Sequence, residues 1–265
     1  MKELMLHELT LGSLFSGSGG FELGGIINGI KPVWASEIEK YPITVTKARM
    51  PWMKHLGDVT KINGAEIEPV NIITFGSPCQ DLSVAGKRAG IFDGERSNLF
   101  FEAIRIIKEM RDAHGVSGSD GHNGDARNIA RWAVWENVPG ALSSNKGEDF
   151  RCVLQAFCDI AEQGITVPPP PKGRWTNAGS IVGDGFSVAW RIIDLQYFGT
   201  ATKSAPQRRR RIYLIADFGG ECAGEVLLEC SSLQWDSSES QQAWEDFTDS
   251  SLGSFERSCR ERGWM

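Results

Sequence analysis

The sequence contains no apolar run approaching the roughly 20 residues that a bilayer-spanning helix requires. Residues Met1–Thr10 carry Glu3, His7 and Glu8 and lack the apolar centre of a secretory leader, so a cytoplasmic protein is expected. Paired cysteines are missing too. The six present, Cys79, Cys152, Cys158, Cys222, Cys230 and Cys259, form no CxxC pair and no zinc-ligand spacing. A chain of 265 residues can bury a large core without disulfide staples, so reduced thiols and no metal are expected. No internal repeat is visible. There is no basic excess either, since the net charge is −6. That shortage is local. Of the 34 acidic and 28 basic residues, 11 and 3 fall within 217–265, which leaves 23 and 25 in the preceding 216 residues. Total charge therefore does not exclude a nucleic-acid partner.

What is present is an alternation of strand and helix signals. Leu9–Phe15 reads as a strand ending in Ser16-Gly17-Ser18-Gly19-Gly20, and Phe21–Ile30 as a helix. Lys31–Glu37 reads as a second strand, followed by a helix to about Arg49. Val70–Phe75 is rich in β-branched residues and suits a buried parallel strand. Asn98–Arg111 has apolar residues at helical spacing, Arg131–Glu136 is a strand stopped by Asn137-Val138-Pro139-Gly140, and Phe150–Ala161 is a helix. This order implies βαβ units, an α/β class and a mostly parallel sheet. Phe186, Val188, Trp190 and Ile192 alternate with Ser187, Ala189 and Arg191, which predicts a strand with two different faces. Ile212–Phe218 is expected to run antiparallel beside it. Loops are expected at Gly115–Asn128, Pro168–Gly183 and Gly199–Pro206. After Gly219 no period survives, so residues 1–218 are read as one domain and 219–265 as an acidic, weakly helical or disordered tail.

A strand entering Gly17-x-Gly19-Gly20 and then a helix makes a turn that a ligand can approach closely. Such turns are often only turns. Glu37, 20 residues after Gly17, adds a carboxylate where a ribose would place its hydroxyls, and Gly57-Asp58-Val59 offers another for an adenine amino group. Position 22 is glutamate where a dinucleotide fingerprint would have its third glycine. A carboxylate opening the helix disfavours a diphosphate and tilts the reading toward a cationic sulfonium cofactor.

The most informative segment is Gly76-Ser77-Pro78-Cys79-Gln80-Asp81-Leu82-Ser83, at the carboxyl end of a buried strand. A lone cysteine there is more often an inert small hydrophobe. Here its neighbours resemble the DNA cytosine-5 methyltransferase family, and other motifs of that family follow in order. They are Phe15-Ser16-Gly17-Ser18-Gly19-Gly20, Glu37, Asp58, Gly90 through Phe100, Glu136-Asn137-Val138 and Gln207-Arg208-Arg209-Arg210-Arg211. The resemblance covers about residues 9–218. It implies a Rossmann-like methyltransferase fold with helices on both faces of a mixed sheet, S-adenosylmethionine as cofactor, and duplex DNA as substrate. The same motifs also serve tRNA cytosine methylation, and a non-catalytic cofactor- or DNA-binding remnant is a further alternative.

By this resemblance Cys79 is the nucleophile that adds to cytosine C6, with Glu136 at N3 and Arg209 and Arg211 at O2. Thiolate addition turns C5 into an enamine carbon able to attack the methyl sulfonium, which splits one hard step into easier ones. The thiolate needs nearby positive charge or amides, and alternation places Arg209 and Arg211 on one strand face. Cofactor contacts are implied for Phe15, Gly17, Gly19, Gly20, Glu37, Asp58, Val59, Pro78 and Leu99. DNA contacts are implied for Gln80, Ser83, Lys87, Arg88 and Gln207. The base must be flipped from the duplex at a cost of a few kcal/mol, and Gly86 and Gly90 are candidate hinges of a closing loop.

Two departures stand out. Family members continue after the last strand with a target-recognition region and a Gly-Asn motif; only 47 residues follow Phe218 here, and none carries that motif. Two forms follow from the resemblance: a split enzyme whose second polypeptide supplies both, or a shortened, impaired homologue. The link Gly199–Pro206 is also longer than usual.

Overall fold

The computed structural model describes residues 9–77, 99–116, 129–197 and 207–228. Two compact units are present, one of residues 1–193 and 211–228, the other of 194–210 and 229–265. The first unit holds nearly all the regular structure. Its strands are β1 (Thr10–Leu14), β2 (Lys31–Ser36), β3 (Lys54–His55), β4 (Ile72–Phe75), β5 (Trp132–Asn137), β6 (Ala178–Val182), β7 (Ser187–Asp194) and β8 (Arg210–Asp217), the last two reaching its boundary. The helices are α1 (Gly20–Ile27), α2 (Lys40–Arg49), α3 (Leu99–Ala113), α4 (Glu148–Ala161) and the short α5 (Ala223–Leu227).

The strands form one eight-stranded sheet in the order β3-β2-β1-β4-β5-β8-β7-β6. From β3 to β5 all neighbours are parallel, with Leu14 opposite both Ser36 and Phe75. β8 then lies antiparallel to β5, Glu136 opposite Tyr213, and β6 pairs antiparallel with β7. The expected mixed, mostly parallel α/β sheet is therefore present. α3 buries Phe100, Ala103, Ile104, Ile107 and Met110, and α4 buries Phe150, Val153, Leu154 and Phe157. Apolar residues three and four apart make one buried stripe on each helix. Phe100 packs on Phe75 and Trp135, and Trp135 on Phe150, with ring centroids 5.9 to 6.1 Å apart. Each such pair adds about 0.5–1.5 kcal/mol beyond area burial.

Two expectations change. The expected loop Pro168–Gly183 ends in a strand, because Ala178–Val182 is β6. Gly179 stands opposite Trp190, and a Cβ on it would meet the indole at 2.3 Å. This glycine makes room for a ring. β7 does not separate into an apolar and a polar face at its start, since Ser187, Val188, Ala189 and Trp190 are all buried. The cause is the segment after Phe218: Ala223 N donates to Ser187 Oγ at 3.0 Å, and Ala223 and Leu227 are buried. β8 lies beside β7, as expected, and has β5 on its other side. The expected loops Gly115–Asn128 and Gly199–Pro206 fall almost wholly outside the described residues. Among the described residues no helix is long and apolar enough to cross a membrane, and no cluster of side chains could hold a metal.

Candidate active site

Because β1 to β5 are all parallel, their carboxyl ends share one edge of the sheet, and antiparallel β8 begins there. The chain runs β1, β2, β3 in one direction and then places β4 on the other side of β1. Ligands of open α/β sheets bind at such a reversal, outside the carboxyl ends. The glycine turn leaves β1 at this point, and Gly76-Ser77 leaves β4 beside it.

The turn is built from left-handed backbone. Phe15, Gly17 and Gly19 have φ of 56°, 55° and 88°, a region that only glycine enters without strain. Its amides are largely committed within the protein. Ser16 N donates to Ser36 O at 3.0 Å, Gly19 N to Ser16 O at 3.1 Å, and Gly17 N to Glu37 Oε2 at 2.8 Å. A diphosphate would have to compete for these donors, so the turn is a poor anion cradle. Glu37 also accepts from Ile38 N and Glu39 N through Oε1, at 2.8 and 2.9 Å. Three amides thus fix its carboxylate at the end of β2, with capacity for about one further bond of the four or so that a carboxylate accepts.

After β3, Asp58 caps the 3-10 turn Val59–Lys61, its Oδ1 accepting from Thr60 N and Thr60 Oγ1 at 3.0 and 2.9 Å. These bonds hold its carboxyl below the usual range. Oδ2 takes no part in them. Val59 is buried in the core, and Phe15 and Leu99 pack against it from half-buried positions, Leu99 as the first residue of α3. Gly20 opens α1.

At the neighbouring strand ends, Arg211 Nε donates to Glu136 Oε1 at 2.9 Å. Both side chains keep 24% of their surface exposed. A Cβ on Gly76 would stand 3.2 Å from Glu136 Oε2, so the missing side chain lets the carboxylate lie against the backbone. Ser77 is clamped from β5, where Trp135 Nε1 donates to its Oγ at 3.1 Å and Asn137 Nδ2 to its carbonyl at 3.3 Å. Trp135 was not identifiable as a site residue from sequence. The available signal was its place next to Glu136, a large aromatic with one donor inside an apolar strand. Pro78, Cys79, Gln80, Ser83, Lys87 and Arg88 lie outside the described residues, and Cys79 follows Ser77 by two positions.

In the second unit, Leu195 N donates to Arg209 O at 3.0 Å, beside the 3-10 turn Leu195–Tyr197. Gln207, Arg208 and Arg209 are exposed. A cavity of about 410 Å³ opens in the first unit near the carboxyl ends of α3 and α4, lined in part by Arg111, Asp112, Asp159 and Asp184. It contains none of the candidate residues, so it is set aside as the reaction site.

Residues 9–161 match the model of a family described as C-5 cytosine-specific DNA methylase. A DNA N-6-adenine-methyltransferase of Escherichia phage P1 is 33% identical, over 80% of this chain and 29% of that protein. Type II methyltransferase M.BsuFI of Bacillus subtilis is 31% identical, over 78% of this chain and 39% of that one. The chain thus spans about a third of the length of these curated relatives. A solved structure described as a DNA modification methyltransferase encoded within an Escherichia coli prophage has a TM-score of 0.50 at 19% identity, covering 79% of this chain and 47% of that one. That last likeness is one of fold.

Proposed function

Because the chain belongs to the C-5 cytosine-specific DNA methylase family, we propose that it methylates C5 of a flipped cytosine in duplex DNA, with Cys79 as nucleophile. The observation that supports this most is the meeting of two chain segments at the reversal of the sheet. The glycine turn with Glu37 and the Gly76-Ser77 root of the cysteine segment leave adjacent strands. The Glu136–Arg211 pair stands on the next two strands.

The residues around the turn suit S-adenosylmethionine. The ammonium and sulfonium of that cofactor need no anion cradle, Glu37 can accept from ribose hydroxyls, and Asp58 Oδ2 can accept from an adenine amino group. When bound, the cofactor supplies an electrophilic methyl group. The protein's part begins with the Cys79 thiolate, which forms a bond to cytosine C6 while the C5–C6 π electrons move toward C5. Glu136 shares a proton with N3 and Arg211 stabilises charge growing at O2, the oxygen to which the family resemblance also assigns Arg209. C5 takes the methyl group, loses its proton to a base, and the electrons of that bond expel the thiolate from C6. Clamping Ser77 from β5 orients the start of the segment that carries the thiol. Gln80, Ser83, Lys87, Arg88 and Gln207 are assigned to the DNA.

The test is a mechanism-based trap. The protein and S-adenosylmethionine are incubated with duplex DNA containing 5-fluorocytosine, alone and with the product of the neighbouring reading frame as a candidate recognition subunit. A covalent adduct that disappears in Cys79→Ser is expected. Mass spectrometry of unmodified substrates should find 5-methylcytosine in DNA. Methylated tRNA, N6-methyladenine, or no adduct in any arm would overturn the assignment.

A further inference from the structure

α1 is turned inside out. Of its eight residues Glu22 and Gly25 are buried, while Leu23 and Ile27 are 54% and 74% exposed. Apolar burial would have chosen the opposite face, so the inward glutamate demands a separate reason. Glu22 is 0% exposed, and no positively charged group is among those that act on its carboxyl. The hydroxyls of Ser13 in β1 and Ser16 in the glycine turn are buried with it and face its carboxyl. Oε2 lies 3.9 Å from where a Cβ on Gly19 would stand, directly against the turn.

We propose that Glu22 is a specificity-determining residue of the cofactor site: a buried carboxylate that provides the counter-charge for a sulfonium and so favours S-adenosylmethionine over its uncharged thioether product. The inference rests on the cofactor reading above. A buried carboxylate without a counter-charge is costly and is relieved by a proton or by a cation. Burial, chiefly, raises the Glu22 carboxyl above its usual range, the Glu37 charge adds to this, and the Ser16 and Ser13 hydroxyls partly offset it. Thr46 of α2 and Met50 just after it meet Gly19, Ser13 comes from β1, and Glu37 is the one charged group that acts on this carboxyl. With Glu22 below the turn and Glu37 beside it, a ligand carrying one more positive charge gains from ionised Glu22, and a neutral sulfur does not. Binding of the charged form then releases the Glu22 proton to solvent.

The experiment is equilibrium titration of the whole chain with S-adenosylmethionine and with S-adenosylhomocysteine, at about pH 6 and about pH 8.5 in buffers of different ionisation enthalpy. The wild type should prefer the sulfonium more strongly at the higher pH and release protons on binding it. Glu22→Gln should lose about tenfold of the sulfonium affinity, leave the thioether affinity unchanged and flatten the pH dependence. Equal weakening of both ligands, or a preference independent of pH, overturns the proposal while the cofactor reading stands. If the wild type binds neither ligand, both fall. Should Glu22→Gln fail to fold, the wild-type pH series decides alone. Unfolding of the free protein gives a second readout. With a raised folded pKa, Glu22 contributes most below its unfolded pKa and loses that contribution as pH rises through the folded one, so Glu22→Gln should gain on the wild type as pH rises.

Discussion

The antiparallel pair β5–β8 carries an arginine–carboxylate contact at each end, and the two are built to opposite standards. At one end Arg131, just before β5, binds Asp217 of β8 through Nε and Nη2 at 2.8 and 3.0 Å. Asp217 is 0% exposed and also accepts from Gly219 N at 3.1 Å and, less closely, from Cys222 N at 3.4 Å. Nearby, Arg111 donates to the carbonyls of Val116, Ala130 and Phe218, and burial pushes its guanidinium down to about 10. At the other end the partners swap strands: Glu136 comes from β5 and Arg211 from β8, in a contact that stays a quarter exposed. A closed, multiply bonded pair locks strands together. An open pair beside a clamped serine leaves polar atoms accessible to a ligand. On the proposed reading, stability and reactivity fall at opposite ends of the same two strands.

The comparison can be broken by substitution. The largest effect is expected from Glu136→Gln, with a loss of 10²-fold or more in methyl transfer, typical of a general acid, while the exposed pair contributes under about 1 kcal/mol to stability. Initial rates together with urea unfolding check both halves, and a large fall in stability would show the two ends to be alike. Asp217→Ala should do the converse, destabilising by about 3–5 kcal/mol in urea unfolding because Arg131 loses its partner and Arg111 a neighbouring negative charge. Gly76→Ala is intermediate: a Cβ 3.2 Å from Glu136 Oε2 should shift the carboxylate, lowering the rate while costing about 1–3 kcal/mol. The smallest effect concerns interior thiols. Burial, chiefly, pushes Cys158 of α4 up to about 11, so iodoacetamide near neutral pH should leave it unlabelled in the folded protein and label it after unfolding.

Much of the first half of the fold was legible because glycine and proline punctuate it. Strands β1, β2, β4 and β5 were bounded correctly to within a residue or two, since each ends in a turn signal that the apolar pattern does not share. The two-residue β3 offers no period to detect, and β6 was hidden by Gly179 and Gly183, which resemble turn residues until Trp190 and Phe186 are seen packing on them. The buried role of residues 219–228 was invisible for another reason: Ala223 and Leu227 occur in a polar context, and only the unmatched face of β7 calls for them. At the site, Glu37, Asp58, Glu136 and Arg211 could be named from motifs. What they bind could not. That Glu37 would take Gly17 N, that Trp135 would hold Ser77, and that Glu22 would point inward all depend on distances across strands far apart in sequence.

The order of the strands has a consequence for how the chain is made. The family match ends at residue 161, in α4, yet the strand beside β5 is β8, which is completed only at Asp217. During synthesis β5 therefore waits with an open edge while β6 and β7 emerge, and their hairpin has no neighbour in the sheet until β8 slots between. A nascent chain stopped before that insertion presents unpaired backbone to any strand it meets, so shortening the protein ahead of Asp217 should yield aggregates instead of a smaller working domain.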